Sequence, residues 1–242
     1  MSRALSLPHE HGGYLTIAGA TAAGVCLAHA RAPALAIGVA IAAAFFARAP
    51  VEELARGRRA RFDGIAVAAL TAIVLAASVA LGGIWAAVSL VVASAIVSGS
   101  AFARQGRWHR ATWFETLGMA ALGASAGLVA FAGGVELHVA IAIGIVMAAH
   151  TGLAVPLVRA EVRPRERERA RHAARLALGV LALSAIAIAL VGAGRFVVAL
   201  APRALHALTR TTSSPSPSHP NVVGIRESVM LTIVIVVVLV VR

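Results

Sequence analysis

The chain has 242 residues, of which 60% are hydrophobic and only 13% charged, and its net charge at pH 7 is +12. This composition excludes an ordinary soluble domain of this size, because such a domain must cover its surface with polar groups. The chain has 22 arginines and no lysine, and they gather between apolar runs. That pattern indicates the positive-inside rule of membrane proteins rather than nucleic-acid binding. Cys26 is the single cysteine, which excludes an intrachain disulfide and a cysteine-rich metal site.

Apolar runs recur along the chain, and about 20 residues rising 1.5 Å each cross the ~30 Å hydrocarbon core of a bilayer. The clear runs are 14–30, 33–47, 64–81, 84–103, 113–132, 135–158 and 176–194. Residues 196–208 form a shorter stretch that Pro202 and Arg203 interrupt, and a final run covers 229–241. We therefore predict an all-α fold, a polytopic transmembrane helical bundle of eight to nine spans, in a single domain over residues 1–242.

Two local patterns add detail to this bundle. Gly123 and Gly127 bracket a small-residue face in the fifth run, which we assign to close helix packing within the chain rather than to a dimer. The Ser/Pro-rich composition of 209–221 predicts a flexible link before a last short helix at 222–241.

The ends of the second and sixth runs show a weak internal sequence similarity. Arg48-Ala49-Pro50-Val51-Glu52 and Arg159-Ala160-Glu161-Val162-Arg163 both lead into long Arg/Glu segments, four spans apart. The similarity suggests two four-helix halves in the same orientation, although Arg/Ala/Glu-rich sequence also produces such matches by its low complexity.

The arginine distribution predicts the orientation in the membrane. The links after the second, fourth and sixth runs hold 15 of the 22 arginines, whereas those after the first, third and fifth hold Arg31 alone. We therefore expect a multi-pass protein of the bacterial inner membrane with a cytoplasmic N-terminus, in contact with membrane lipids and not with nucleic acid.

Polar residues in or near the spans are the candidate functional residues, because a charge at the bilayer centre costs at least roughly 3 kcal/mol. In the predicted topology seven of them lie towards the cytoplasmic side and are predicted ligand-binding residues: His9, Glu10, His11, Glu115, His150, Arg226 and Glu227. Each also has a structural interpretation. Glu115 complements a helix N-terminus, and a lone His150 can bond to a neighbouring helix.

These residues predict no metal or haem cofactor. Their histidines and carboxylates show no i, i+3 or i, i+4 ligand pair. A bis-histidine haem site needs two deep histidines, and only His150 lies deep in a run.

The motif Pro8-His9-Glu10-His11-Gly12-Gly13-Tyr14, directly before the first run, resembles the N-terminal signature of the YwiC-like family of bacterial membrane proteins. Gly13-Tyr14 stands where that family has Ala-Trp. The segment Val223-Gly224-Ile225-Arg226-Glu227 is similar to the family's C-terminal Gly-x-x-Glu segment. The resemblance implies a polytopic inner-membrane protein and carries no activity with it.

A looser, scaffold-level resemblance is to the UbiA-type intramembrane prenyltransferases, which also have about nine spans and place their active-site loops after spans two and six. Those enzymes hold Mg²⁺ on a diphosphate with Asp-rich motifs. Asp63 is the single aspartate of this chain, which argues against that chemistry.

Three hypotheses follow for function. The first is a cytoplasm-facing polar pocket that binds or transports a small anionic or lipid-like ligand. The second is a UbiA-like transferase with an altered, Asp-poor active site, in which a glutamate acts as general base. The third is a structural or assembly subunit of a membrane complex.

Overall fold

The computed structural model describes residues 11–55, 62–84, 112–162, 167–212 and 220–242, together with positions 87, 88, 91 and 95. Within these ranges the chain is helical apart from short turns, which confirms the predicted all-α fold. The α-helices are α1 (His11–Leu27), α2 (Ala32–Ala55), α3 (Phe62–Gly82), α4 (Thr112–Ala132), α5 (Leu137–Val162), α6 (Arg167–Leu190), α7 (Ala201–Thr212) and α8 (Pro220–Val240), and a 3-10 helix (Gly194–Leu200) precedes α7. Most of the fourth predicted run, 84–103, lies outside the described residues.

Four segments of the described chain are long and apolar enough to cross a membrane. They are Thr112–Ala132, Leu137–Arg159, Arg171–Leu190 and Val222–Val240. Their outward surface suits lipid, since Leu183, Leu190 and Val240 are 67%, 82% and 78% exposed. Apolar exposure on this scale is unfavourable in water and favourable in a hydrocarbon phase.

Three helices end in the same way at one end of the bundle. The amides of Gly192 and Ala193, after α6, bond to carbonyls three and five residues earlier at 3.0 and 3.1 Å, which is a Schellman motif. After α4 the same bonds form with Gly134 in the left-handed conformation, and after α1 that position is His29, with φ 52°. Because only glycine adopts this conformation without steric cost, the turn after α1 is the strained one.

The antiparallel helices α4 and α5 approach each other at backbone distance. Gly123 lies against the carbonyl oxygen of Met147, and Gly127 lies against that of Ala140, where a Cβ atom would collide with the facing backbone. The hydroxyl of Thr151 lies 2.8 Å from the carbonyl oxygen of Met119 on α4 and equally far from that of Met147 on its own helix, so its one proton is shared between them. In this structure the small-residue face therefore packs within the chain, in line with its interpretation from sequence.

Helices α1 and α8 lie side by side and run parallel. Gly19 of α1 contacts Leu231 of α8, and beyond both helices Arg242 Nη1 lies 2.9 Å from His29 Nε2. In both pairs the residue at the α8 end stands almost the same number of positions after its α1 partner, so the two contacts indicate one axial alignment of the helices. In that alignment His11, the first residue of α1, lies level with the second turn of α8.

The chain after α6 is helical from Gly194 to Thr212, with the 3-10 helix running directly into α7, whereas the sequence suggested an interrupted stretch. The 3-10 helix has seven residues and α7 has twelve. At about 2.0 and 1.5 Å per residue they rise together by roughly 32 Å, enough to return across the ~30 Å core. Pro202 lies in the first turn of α7, where its missing N–H costs no helical bond.

The predicted link and last helix also differ from the structure. Helix α7 continues to Thr212 and α8 begins at Pro220, so 209–212 and 220–221 are helical, and 213–219 lie outside the described residues. Residues 222–228 extend the final run into a full spanning helix. The division into two four-helix halves stays a prediction.

Candidate functional site

Helix α5 carries two buried polar side chains on one face. His150 is 3% exposed and Glu161 is 1% exposed. They are eleven positions apart, close to a whole number of helical turns, so both side chains leave α5 in nearly the same direction. Such side chains need partners, because burying an unpaired polar or charged group costs several kcal/mol.

Helix α7 supplies the facing side chains at a spacing of three and then four residues. Arg203 is fully buried, and its Nη2 lies 3.3 Å from His150 Nε2. Its Nη1 lies 3.2 Å from Nδ1 of His206, whose Nε2 lies 2.8 Å from Glu161 Oε1. Arg210, one turn later, pairs with Glu161 Oε1 at 2.9 Å. Helix α7 therefore lies with its polar face along α5.

Helix α8 completes the group with one cation and one anion. Glu227 accepts two hydrogen bonds from the Arg203 guanidinium, at 2.7 and 3.3 Å. Arg226 Nη2 donates to both carboxylate oxygens of Glu161, at 2.7 and 2.6 Å. We call the seven residues the Arg203 cluster: His150, Glu161, Arg203, His206, Arg210, Arg226 and Glu227.

We assign the tautomers of both histidines from their hydrogen-bond partners. A guanidinium is always a donor, so the ring nitrogens that face Arg203 must accept. His206 then carries its proton on Nε2 and donates it to Glu161. His150 accepts at Nε2 and carries its proton on Nδ1, a buried atom with no partner among the described residues. The Nε–H groups of Arg203 and Arg226 are likewise buried and unpartnered there.

Glu161 lies two residues beyond the spanning segment of α5 and is the main anion of the cluster. Burial by itself would raise the pKa of its carboxyl group. Hydrogen bonds from His206 and Arg226, and the charges of Arg226 and Arg210, outweigh burial and hold that pKa below its ordinary value. Glu161 is therefore ionised at neutral pH.

The cluster has more positive than negative charge. Three arginines face two glutamates, so the arginines and carboxylates by themselves leave one positive charge. Every unpartnered atom of the cluster named above is a donor. Within the described residues no group of three or more His, Cys, Asp or Glu side chains could hold a metal ion. The arrangement therefore suits an oxygen-bearing anion better than a cation.

Three of the sequence-predicted residues, His150, Arg226 and Glu227, meet in this cluster. Glu115 does not join them. It pairs with Arg159, which also donates to Thr112 Oγ1 at 2.7 Å. Arg159 and Glu161 are two residues apart, so they leave α5 on nearly opposite faces.

The remaining predicted residues lie at the N-terminus. His9 and Glu10 lie outside the described residues. His11 is described only as the first residue of α1, and its side chain is also outside them. The backbone register places the start of α1 at the level of the cluster.

Sequence reasoning missed Glu161, Arg203, His206 and Arg210 as site residues. Glu161 falls in an Arg/Glu-rich segment that looks like a solvated loop. The signal for the other three was their i, i+3, i+7 spacing directly after Pro202, which places them on one face of a helix that starts at the proline.

Long apolar helices with lipid-suited outer surfaces, closed around a charged cluster, define a multi-pass membrane protein. The chain belongs to the YwiC-like family, because the family model described as YwiC-like protein matches residues 7–132, just over half of it. The matched part includes the motif at residues 8–14 and ends with α4, whereas the Arg203 cluster lies beyond it. Searches of curated proteins and of solved structures give no match.

Proposed function

We propose that the protein lies in the bacterial inner membrane with its N-terminus in the cytoplasm, and that the Arg203 cluster binds a small anionic or lipid-like ligand from the cytoplasmic side. The arginine-rich links support this orientation. The cluster lies at the end of the bundle where α5 ends and α6 begins, next to the most basic of those links.

The observation that carries the proposal is the surplus of donors in a buried site. His150 Nδ1, Arg203 Nε and Arg226 Nε have no partner among the described residues. Each unsatisfied buried donor costs about 1–3 kcal/mol, and more when the group is charged. One anionic group with oxygen acceptors would satisfy such donors and neutralise the surplus positive charge.

The proposal covers both binding and transport, because ionisable residues among spanning helices mark ligand sites and substrate pathways alike. Uptake of the identified ligand into proteoliposomes distinguishes transport from binding.

The test is native mass spectrometry of the protein purified in mild detergent, with analysis of small molecules that co-purify. His150→Gln keeps an acceptor near the position of Nε2 for Arg203 but removes the Nδ1–H donor. Glu115→Gln is the matched control, because Glu115 pairs with Arg159 on nearly the opposite side of α5 from Glu161. We expect an anionic adduct on the wild type and on Glu115→Gln, and its loss from His150→Gln.

Two results would overturn the proposal. One is a wild-type protein that carries no anionic adduct. The other is an adduct retained equally by all three proteins, because its site is then elsewhere. A stable co-purifying protein in place of a small molecule would favour the assembly-subunit hypothesis, and turnover of an added polyprenyl diphosphate would favour the transferase.

A further inference from the structure

The exposed edge of the Arg203 cluster is formed by two arginines and one glutamate. The side chains of Arg226, Arg210 and Glu227 are 33%, 18% and 17% exposed, whereas those of Arg203 and Glu161 are 1% exposed. The carboxylate of Glu227 is already bonded to Arg203, so a ligand that reaches the unpartnered donors passes Arg226 and Arg210, between α7 and α8.

This edge is surrounded by apolar side chains. Around Arg226 on α8, the neighbouring side chains of Val222, Ile225 and Val229 are 60%, 67% and 52% exposed. Helix α7 turns its polar face inward and exposes Leu205 and Leu208 at 65% and 51%. A helix that faces water shows the reverse pattern. The approach to the cluster is therefore from the lipid.

The depth of Arg226 corresponds to lipid head groups. It is the fifth residue of the spanning segment Val222–Val240, so its backbone lies about 6 Å inside the start of that segment. Its guanidinium bonds to Glu161, which lies beyond the end of the spanning segment of α5, so the long side chain carries the charge outward to the edge of the hydrocarbon core. A guanidinium at that level lies beside lipid phosphates, for which its planar donors are well suited.

We propose that the ligand of the Arg203 cluster is an anionic membrane lipid, whose phosphodiester head group enters between α7 and α8 while its acyl chains stay along their exposed apolar faces. This inference rests on the proposed function and names its ligand class. A phosphodiester carries a single negative charge, which equals the surplus of three arginines over two glutamates in the cluster. The same phosphate chemistry in water is inorganic phosphate or a head group without acyl chains, and the test separates these sources.

The experiment uses delipidated full-length protein and three probes: phosphatidylglycerol, phosphatidylcholine and glycerophosphoglycerol, which is the first head group without acyl chains. Native mass spectrometry measures the occupancy of each probe. We expect phosphatidylglycerol to bind about tenfold tighter than phosphatidylcholine, and glycerophosphoglycerol to compete poorly.

Arg226→Gln should weaken phosphatidylglycerol binding by about tenfold, the loss expected for a charge-assisted hydrogen bond. Arg171→Gln is the matched control. Arg171 is exposed, begins the spanning segment of α6 at the same end of the bundle, and its replacement removes the same charge. His150→Gln leaves the exposed arginines intact, so its effect on phosphatidylglycerol binding tests the buried part of the site separately.

An equal loss in Arg226→Gln and Arg171→Gln would overturn the inference, since it shows general attraction of anionic lipid to surface arginines. Tight binding of glycerophosphoglycerol that depends on His150 would also overturn it, while leaving the proposed anion site intact. Absence of binding by every probe would overturn the lipid inference, and an anionic adduct on freshly purified protein would still support the proposed function.

Discussion

Two contacts of α5 show two different ways of joining helices in this bundle. Thr151 bonds to α4 across the glycine interface, whereas its neighbour His150 contacts Arg203 of α7. Successive residues on a helix point about 100° apart and differ by only 1.5 Å along its axis. Helix α5 therefore presents the two contacts on different faces at nearly the same depth. The α4–α5 contact depends on glycines that let the two backbones approach closely. The contact of α5 with α7 depends on charged and polar side chains that bond to one another.

The difference lies in how each contact tolerates change. At the glycine interface the energy comes from close packing of backbone against backbone, so added volume is the main threat. In the Arg203 cluster each group depends on its partners, so removal of one group leaves others buried and unpaired. Substitutions of each kind therefore test whether the two contacts differ in this way.

The largest effect is expected from Arg203→Ala. It removes the partner of Glu227 and leaves His150 and His206 without their donor, which costs about 3–5 kcal/mol for breaking a buried charge pair. Thermal unfolding in detergent measures the loss. Arg171→Ala removes an exposed arginine and is the control. If both variants unfold alike, the cluster does not stabilise the fold.

Gly127→Ala should have a smaller effect, about 1–3 kcal/mol, because its methyl group meets the backbone of α5 at Ala140 and Gly144. Gly118 is the internal control on the same helix, since nothing lies within 4 Å of a Cβ placed there. Gly118→Ala should therefore leave the unfolding temperature unchanged or raise it. Equal destabilisation by the two variants would contradict the close approach of α4 and α5.

The smallest effect concerns pH and belongs to the cluster alone. The pKa of Glu161 is lower in the folded protein than its ordinary value of 4.5. Its ionisation therefore contributes stability that is fully present above pH 4.5 and is lost as the pH falls through the lowered pKa.

The check is the unfolding temperature of the wild type and of Glu161→Gln from pH 7 down to pH 3. The wild type should lose stability steeply in the acid part of this range, and Glu161→Gln should start lower and show a flatter dependence. An acid loss of equal size in both proteins would show that other carboxyl groups cause it.

The sequence by itself determined the class of protein and much of the packing. Apolar runs gave the helices, because a bilayer requires long apolar segments whose backbone bonds are satisfied internally. Gly123 and Gly127 marked a face for close helix packing, because one helix turn places them on one side, and the structure shows its partner to be α5. Polarity within a span selected His150, and polarity next to a span selected Arg226 and Glu227, since such residues are costly unless they have partners.

The tertiary structure alone decided which polar residues become partners. From the sequence, Arg203 is interpreted as an interruption of a short apolar run and Glu161 as part of a basic loop. In the structure α7 lies along α5 and brings both residues into one cluster. In the sequence Glu115 and Glu227 look alike, because each is a carboxylate near the start of an apolar run. In the structure Glu227 pairs with Arg203, whereas Glu115 pairs with Arg159 on another face of α5. Hydropathy and spacing act over one or two helical turns, whereas the Arg203 cluster joins side chains from three helices that only the folded bundle brings within hydrogen-bond distance.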